Sequence, residues 1–159
     1  MNAAVLTVSD RVSRGEADDR SGDALAELLA ADGYTVARRV VPDEAALIAT
    51  AIEELAVGAE IVLTTGGTGL APRDVTPEAT RTVLQREAPG IAEALRADSI
   101  AKTPHGLLSR GVAGVVSGAL VVNLPGSPGG CRDGYAILQP ALGHAAALLA
   151  DEPTRHQQT

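Results

Sequence analysis

Hydrophobic positions recur with two different periods along this chain, and each change of period marks the edge of an element. Residues 3–8 are a short apolar run with β-branched members and read as a strand, followed by a polar loop over residues 9–20. Ser21 suits the cap of a helix whose Leu25, Leu28 and Leu29 share one face, and Gly33 ends it. Thr35–Val41 reads as a second strand. Asp43 precedes a strongly amphipathic helix, with Leu47, Ile48, Ala51, Ile52 and Leu55 at helical spacing and Gly58 at its close. Ile61–Thr65 is a third strand that runs straight into Gly66-Gly67-Thr68-Gly69. Thr76-Pro77-Glu78 has the form of a helix start, with proline at the first helical position.

The pattern weakens after Pro89-Gly90, where residues 91–96 read as a helix and residues 102–106 as a loop. Residues 112–116 and Ala119–Leu124 then read as two strands around a tight turn at Ser117-Gly118. A second glycine-rich loop, residues 125–130, opens a last helix with Leu138, Leu142, Ala145, Leu148 and Leu149 on one face and a kink expected at Pro140. Strands alternating with helices imply a three-layer α/β/α fold with a mostly parallel sheet, and the late hairpin makes one strand antiparallel. At 159 residues the chain suits one domain over residues 1–150, with residues 151–159 as a flexible tail. Ligands of such sheets bind beyond the carboxyl ends of the strands. That rule singles out Ser9-Asp10, Asp43, Gly66–Gly69 and the loop of residues 125–130.

Composition narrows the chemistry. The net charge of −7 argues against a nucleic-acid surface. With no Phe, no Trp and two Tyr, base-stacking platforms and aromatic cages are excluded, and the core must be aliphatic. Lys102 is the sole lysine among thirteen basic residues, so a lysine-centred mechanism has a single candidate. One cysteine, Cys131, excludes an internal disulfide framework and favours a reducing compartment. No apolar run reaches transmembrane length and the N-terminus has no basic flank, so a cytoplasmic protein with no membrane partner is expected.

The strand ends offer two readings each. Gly66, Gly67, Thr68 and Gly69 form either a tight turn or a cradle in which main-chain N–H groups approach an anion without Cβ obstruction. The ending of a Walker loop and the glycine spacing of a dinucleotide fingerprint are both absent. The loop through Gly126, Ser127 and Pro128 is either a rigid Pro-Gly turn or, at the positive end of the last helix, a phosphate site. Asp74 suits an Asx turn, and Asp43 suits a helix cap. If both carboxylates face phosphates, a divalent cation must join them, since Mg²⁺ combines one or two carboxylates with substrate phosphate oxygens. His105, His144 and His156 show no ligand spacing, and Cys131 reads as a small buried residue. Ser109-Arg110 precedes the hairpin and is placed to reach the pocket, with a solvated arginine as the ordinary reading of Arg110.

The segments Leu6-Thr-Val-Ser-Asp10, Asp19-Arg-Ser-Gly22, Val41-Pro-Asp-Glu44, Thr65-Gly-Gly-Thr-Gly69, Pro72-Arg-Asp-Val-Thr-Pro-Glu-Ala-Thr80, Leu108-Ser-Arg110 and Asn123-Leu-Pro-Gly126 occur in this order. Together they resemble the molybdenum-cofactor biosynthesis family of MogA and MoaB, which includes the plant Cnx G domain and the gephyrin G domain. The resemblance implies a trimeric α/β/α protein that adenylylates molybdopterin with Mg·ATP and releases pyrophosphate. It implies Asp43 and Asp74 as the catalytic and Mg²⁺-binding carboxylates, and Gly66, Gly67, Thr68 and Gly69 as the nucleotide site. Ser9, Asp10, Ser109, Gly126, Ser127 and Pro128 would hold molybdopterin, and a further protein would insert molybdenum downstream. Lys102 departs from the family pattern, standing after Ser99-Ile100-Ala101. Residues 126–130 have MoaB-like features whereas residues 72–80 look MogA-like. The alternative is a MoaB-like protein that binds molybdopterin or a nucleotide without turnover, against which the presence of both Asp43 and Asp74 weighs.

Overall fold

The computed structural model describes residues 1–150; the expected tail, residues 151–159, lies outside the described residues. Among the described residues there are six strands: β1 (Asn2–Val8), β2 (Thr35–Val41), β3 (Ile61–Thr65), β4 (Arg86–Glu87), β5 (Ala113–Val116) and β6 (Ala119–Leu124). They form one sheet in the order β2-β1-β3-β6-β5-β4. β1 runs parallel to β2 and β3, and β3 parallel to β6, while β5 is antiparallel to both its neighbours. The helices are α1 (Asp10–Ser13), α2 (Arg20–Ala31), α3 (Ala45–Gly58), α4 (Thr76–Val83), α5 (Pro89–Lys102) and α6 (Pro128–Leu149), with a 3₁₀ turn at Pro104–Leu108.

Strand alternation divides the core in two. Ala3 and Val5 of β1, with Ile61 and Leu63 of β3, face Leu25 and Leu29 of α2 and Leu138 and Leu142 of α6. Ala4, Leu6 and Val62 face the other way, onto Ile48 and Ile52 of α3 and Ala79 of α4. Central strands covered on both faces are mostly apolar, and β3 and β6 are buried at every residue, with their polar Thr64, Thr65 and Asn123 hydrogen-bonded. Leu6, Leu25, Leu29, Ile48 and Ile52 are fully buried, and truncating any one to alanine costs about 2–5 kcal/mol. This is the expected three-layer architecture. The turn at Ser117 and Gly118, with φ of 49° and 84°, has the doubly left-handed shape that suits the twist of a hairpin.

Several helix ends differ from the expectation. Asp19, not Ser21, caps α2: its carboxylate accepts the Gly22 N–H at 3.0 Å and the Thr7 hydroxyl at 2.8 Å, while Ser21 is buried in the first turn. Asp43 does not cap α3, which starts at Ala45 with no side-chain cap, because its carboxylate is taken by the Asp10 N–H. Thr76 lies inside α4 and its hydroxyl donates to the Gly66 carbonyl at 2.9 Å, outside any cap role. The loop at residues 9–20 contains the short α1, α5 continues to Lys102, and the two-residue edge strand β4 is additional. Pro140 sits within α6 without ending it, on an exposed stretch of the helix. No helix among the described residues is long and apolar enough to cross a membrane.

Asn123 of β6 ties these layers together at the carboxyl end of the sheet. Its amide nitrogen donates to the hydroxyls of Thr64 and Thr80, each at 3.0 Å, and its oxygen accepts the Val112 N–H at 3.2 Å. Asn123→Ala leaves a buried main-chain donor without its acceptor, and should lower stability by about 2–4 kcal/mol. Urea denaturation checks this, and a loss below about 0.5 kcal/mol would contradict it.

Candidate active site

The chain leaves β1 for β2 in one direction and leaves β3 for the far half of the sheet in the other. The carboxyl ends of these adjacent strands are therefore a switch point, where loops part and leave a crevice. The loop after β3 is set by two left-handed glycines, Gly66 at φ 98° and Gly67 at φ 67°. A Cβ on Gly66 would run into the Val8 carbonyl, and one on Gly67 into the Thr76 hydroxyl, so neither position admits a side chain. Thr76 closes the loop from behind: its N–H donates to the Gly67 carbonyl at 3.1 Å and its hydroxyl to that of Gly66. Gly126 brings the second loop against the first, since a Cβ there would lie 3.3 Å from the Gly66 Cα.

These two loops form a wall with a cavity on each side. One cavity, of about 390 Å³, is lined by Ser9, Asp19, Asp43, Gly66, Gly67, Asp74, Gly126 and Pro128 among others. The other, of about 430 Å³, is lined by Thr68, Gly69, Ser99, Lys102, Ser109, Asn123 and Ser127 among others. The residues read as a nucleotide site are thus divided, Gly66 and Gly67 from Thr68 and Gly69. Those read as a pterin site are divided too, Ser9, Gly126 and Pro128 from Ser109 and Ser127. Asp10 lines neither cavity.

Asp43 and Asp74 do meet in the first cavity. An added Cβ on Gly67 would lie 3.3 Å from Asp43 Oδ1, and one on Gly69 would lie 2.9 Å from Asp74 Oδ2, so the carboxylates flank the glycine loop. Asp43 and Asp10 exchange bonds: the Asp10 N–H donates to Asp43 Oδ2 at 2.9 Å and the Asp43 N–H to Asp10 Oδ1 at 3.0 Å. Arg73 donates to both Asp10 oxygens, at 2.5 and 2.9 Å. That bidentate pair holds the Asp10 carboxyl at about 2. Burial pushes the Asp43 carboxyl upward, and the charges of Asp10 and Asp74 add to the rise against the Asp10 N–H, which opposes it. Asp74 accepts the Ala71 N–H at 3.1 Å. No group of three ligating side chains among the described residues could cage a metal alone. Two carboxylates in one cavity fit the other mode, in which Mg²⁺ takes the rest of its shell from phosphate and water.

In the second cavity Lys102 pairs with Asp98 at 2.8 Å and Asp133 at 3.2 Å, and the Asp98 bond raises its pKa. The Cys131 thiol donates to the Pro125 carbonyl at 3.2 Å and lies 3.3 Å from the Thr65 hydroxyl. Burial raises its pKa, so it is a protonated packing residue, in line with the sequence reading. Sequence reasoning gave no role to Arg73 and left Arg110 between a residue that reaches the pocket and, more ordinarily, a solvated side chain. The Arg110 guanidinium instead bonds to the Gly69 and Asp74 carbonyls at 2.8 and 2.6 Å. Its position between Ser109 and a buried strand was the only available signal.

The raised Asp43 pKa carries a sign. The folded state binds this proton more readily than the unfolded chain, so the ionised carboxylate lowers stability at neutral pH and the penalty fades on acidification. Asp43→Asn keeps an acceptor for the Asp10 N–H and should melt at or above the wild-type temperature at pH 7, with the gap shrinking towards the ordinary carboxylate value of 3.8. Calorimetric melting across pH tests this. A less stable variant at pH 7, or a gap that widens in acid, would contradict it.

Comparison with known proteins agrees with this geometry. Residues 4–144 match the family described as "Probable molybdopterin binding domain". The molybdenum cofactor biosynthesis bifunctional protein of Synechococcus elongatus is 44% identical over 149 residues, which cover 92% of this chain and 47% of that protein. The chain thus spans about half the length, or less, of the first curated relatives it matches. The molybdopterin adenylyltransferase of Helicobacter pylori is 36% identical over 154 residues, covering 94% of this chain and 88% of the relative. The crystal structure of the molybdopterin biosynthesis enzyme MoaB from Thermus thermophilus superposes with a TM-score of 0.88 at 47% identity, covering 96% of this chain and 98% of that one. With the fold, the glycine loop and the matched span in agreement, the chain belongs to the family of molybdopterin-binding domains of molybdenum cofactor biosynthesis.

Proposed function

We propose that this chain is a molybdopterin adenylyltransferase. The observation that carries the reading is the pair of adjacent cavities at the two glycine loops, with Asp43 and Asp74 both lining the one that also takes Gly66 and Gly67. A relative matched over 88% of its own length bears that activity as its name. A terminal phosphate oxygen of molybdopterin attacks the α-phosphorus of ATP; the new P–O bond forms as the bond to the β-phosphate oxygen breaks, and pyrophosphate leaves with the electron pair.

The chain's own residues bring two polyanions together. Gly66 and Gly67 let the phosphates approach the main chain closely, and the positive end of the 22-residue α6 points at the wall from behind Ser127. Ser109 and Ser127 offer hydroxyls on the pterin side, while Thr68 and Gly69 form the pterin face of the wall. Ser9, Gly126 and Pro128 border the nucleotide side, and the reacting phosphates meet where the two loops touch. Asp43 and Asp74 would hold Mg²⁺, which when bound neutralises triphosphate charge and eases departure of pyrophosphate. No nucleophilic side chain is needed, so positioning and charge neutralisation carry the catalysis. Placement of both carboxylates in one cavity favours this reading over binding without turnover.

Asp74→Asn retains an oxygen for the Ala71 N–H, so it should melt within a few degrees of wild type and lose turnover by about two orders of magnitude or more. Pyrophosphate release at saturating ATP, across a Mg²⁺ titration, measures this. Near-wild-type turnover would place the essential carboxylate elsewhere, and no pyrophosphate from wild type would remove the activity altogether.

The same reading extends to assembly. The family resemblance supports a cytoplasmic homotrimer that passes its product to a molybdenum-inserting protein. Light scattering at micromolar concentration should return three times the chain mass; the monomer mass would overturn this.

A further inference from the structure

Arg110 stands between Ser109, which lines the pterin-side cavity, and the strand β5. Its side chain is 31% exposed, so it does not simply extend into water. It turns back onto the segment that carries Asp74. Nε donates to the Gly69 carbonyl at 2.8 Å, Nη2 donates to the Asp74 carbonyl at 2.6 Å, and Nη1 pairs with Glu78 at the start of α4. The Arg110 N–H donates to the Thr68 carbonyl at 2.9 Å. All four acceptors lie within residues 68–78, across the glycine loop, the exposed bend at residues 70–73, and the first turn of α4. The bend's main chain bonds locally, between Ala71 and Asp74, and the Arg73 side chain ties the bend to Asp10. Asp74's own main-chain carbonyl is held at long range by Arg110.

We infer that Arg110 is a positioning residue, which holds Asp74 in the nucleotide-side cavity from a segment whose neighbouring residue faces the pterin. The inference rests on the reading that Asp74 serves the triphosphate. Three donors of one planar fork meet three acceptors of fixed relative position, an arrangement a lysine ammonium on a flexible stem cannot reproduce. Loss of the fork frees the Asp74 main chain, and a displacement of about 1 Å at such a group is enough to cost turnover heavily. Two of the three bonds run to main-chain carbonyls, so the identity of the residues at 69 and 74 does not alter them.

The test uses Arg110→Lys and Arg110→Ala beside Glu78→Gln, which keeps an acceptor for Nη1. Calorimetric titration with Mg·ATP and, separately, with molybdopterin reads the two cavities without requiring turnover. Both Arg110 variants should bind Mg·ATP at least about fivefold more weakly, bind molybdopterin within about twofold of wild type, and lose turnover about tenfold or more, with no rescue by lysine. Glu78→Gln should stay within about twofold of wild type throughout. Amide exchange at residues 70–76 should speed up in both Arg110 variants, which reads the freed main chain directly and distinguishes it from global unfolding. Unchanged Mg·ATP affinity, unchanged exchange, rescue by lysine, or equal losses at both ligands would overturn the inference. A wild type that binds both ligands but releases no pyrophosphate would defeat the proposed activity alone, and the role of Arg110 would then be judged on Mg·ATP affinity and exchange.

Discussion

The carboxylates of Asp10, Asp43 and Asp74 are gathered at one end of one sheet, where the charges of Asp10 and Asp74 repel that of Asp43. Much of the local structure opposes that repulsion. Arg73 neutralises Asp10, and the Asp10 N–H bonds to Asp43, so a loop after β1 and a loop after β2 are tied to the bend before α4. Arg110 holds the far side of the same bend. The residual strain is visible in the raised Asp43 pKa, for which burial is the first cause and the neighbouring charges the next.

Sheet topology decides where this happens. The crevice exists because connections leave β1 and β3 in opposite directions, and the left-handed Gly66 and Gly67 let the chain turn beside Val8 without filling it. The second glycine-rich loop then packs against the first, Gly126 against Gly66, and residues of both loops line each of the two cavities. The buried network of Asn123, Thr64 and Thr80 supports the wall from beneath.

The layers and the central strands were legible because long apolar runs bounded by glycine, such as residues 61–69, leave few alternatives. The ends of helices were less so. Aspartate and serine suit a cap equally well by type, and whether they cap depends on whether a distant donor claims them first. Asp43 is claimed by the main chain of Asp10, and Asp19 is recruited by Thr7, neither of which local pattern reveals. Asp43, Asp74 and the glycine loop could be singled out, since carboxylates and glycines at strand ends carry their chemistry in their identity. Arg110 could not be, because its partners are chiefly carbonyls, which every residue possesses. The two-residue β4 is too short to leave a period at all.

The most direct test of the account is a crystal structure of this chain with Mg²⁺ and a non-cleavable α,β-methylene analogue of ATP. The account requires the metal in the cavity between Asp43 and Asp74, bonded at about 2.0–2.1 Å to an oxygen of at least one of them and to the triphosphate, with the phosphates against Gly66 and Gly67. A triphosphate seated in the cavity of Ser109 and Lys102, or a metal bound with neither carboxylate within its shell, would contradict it.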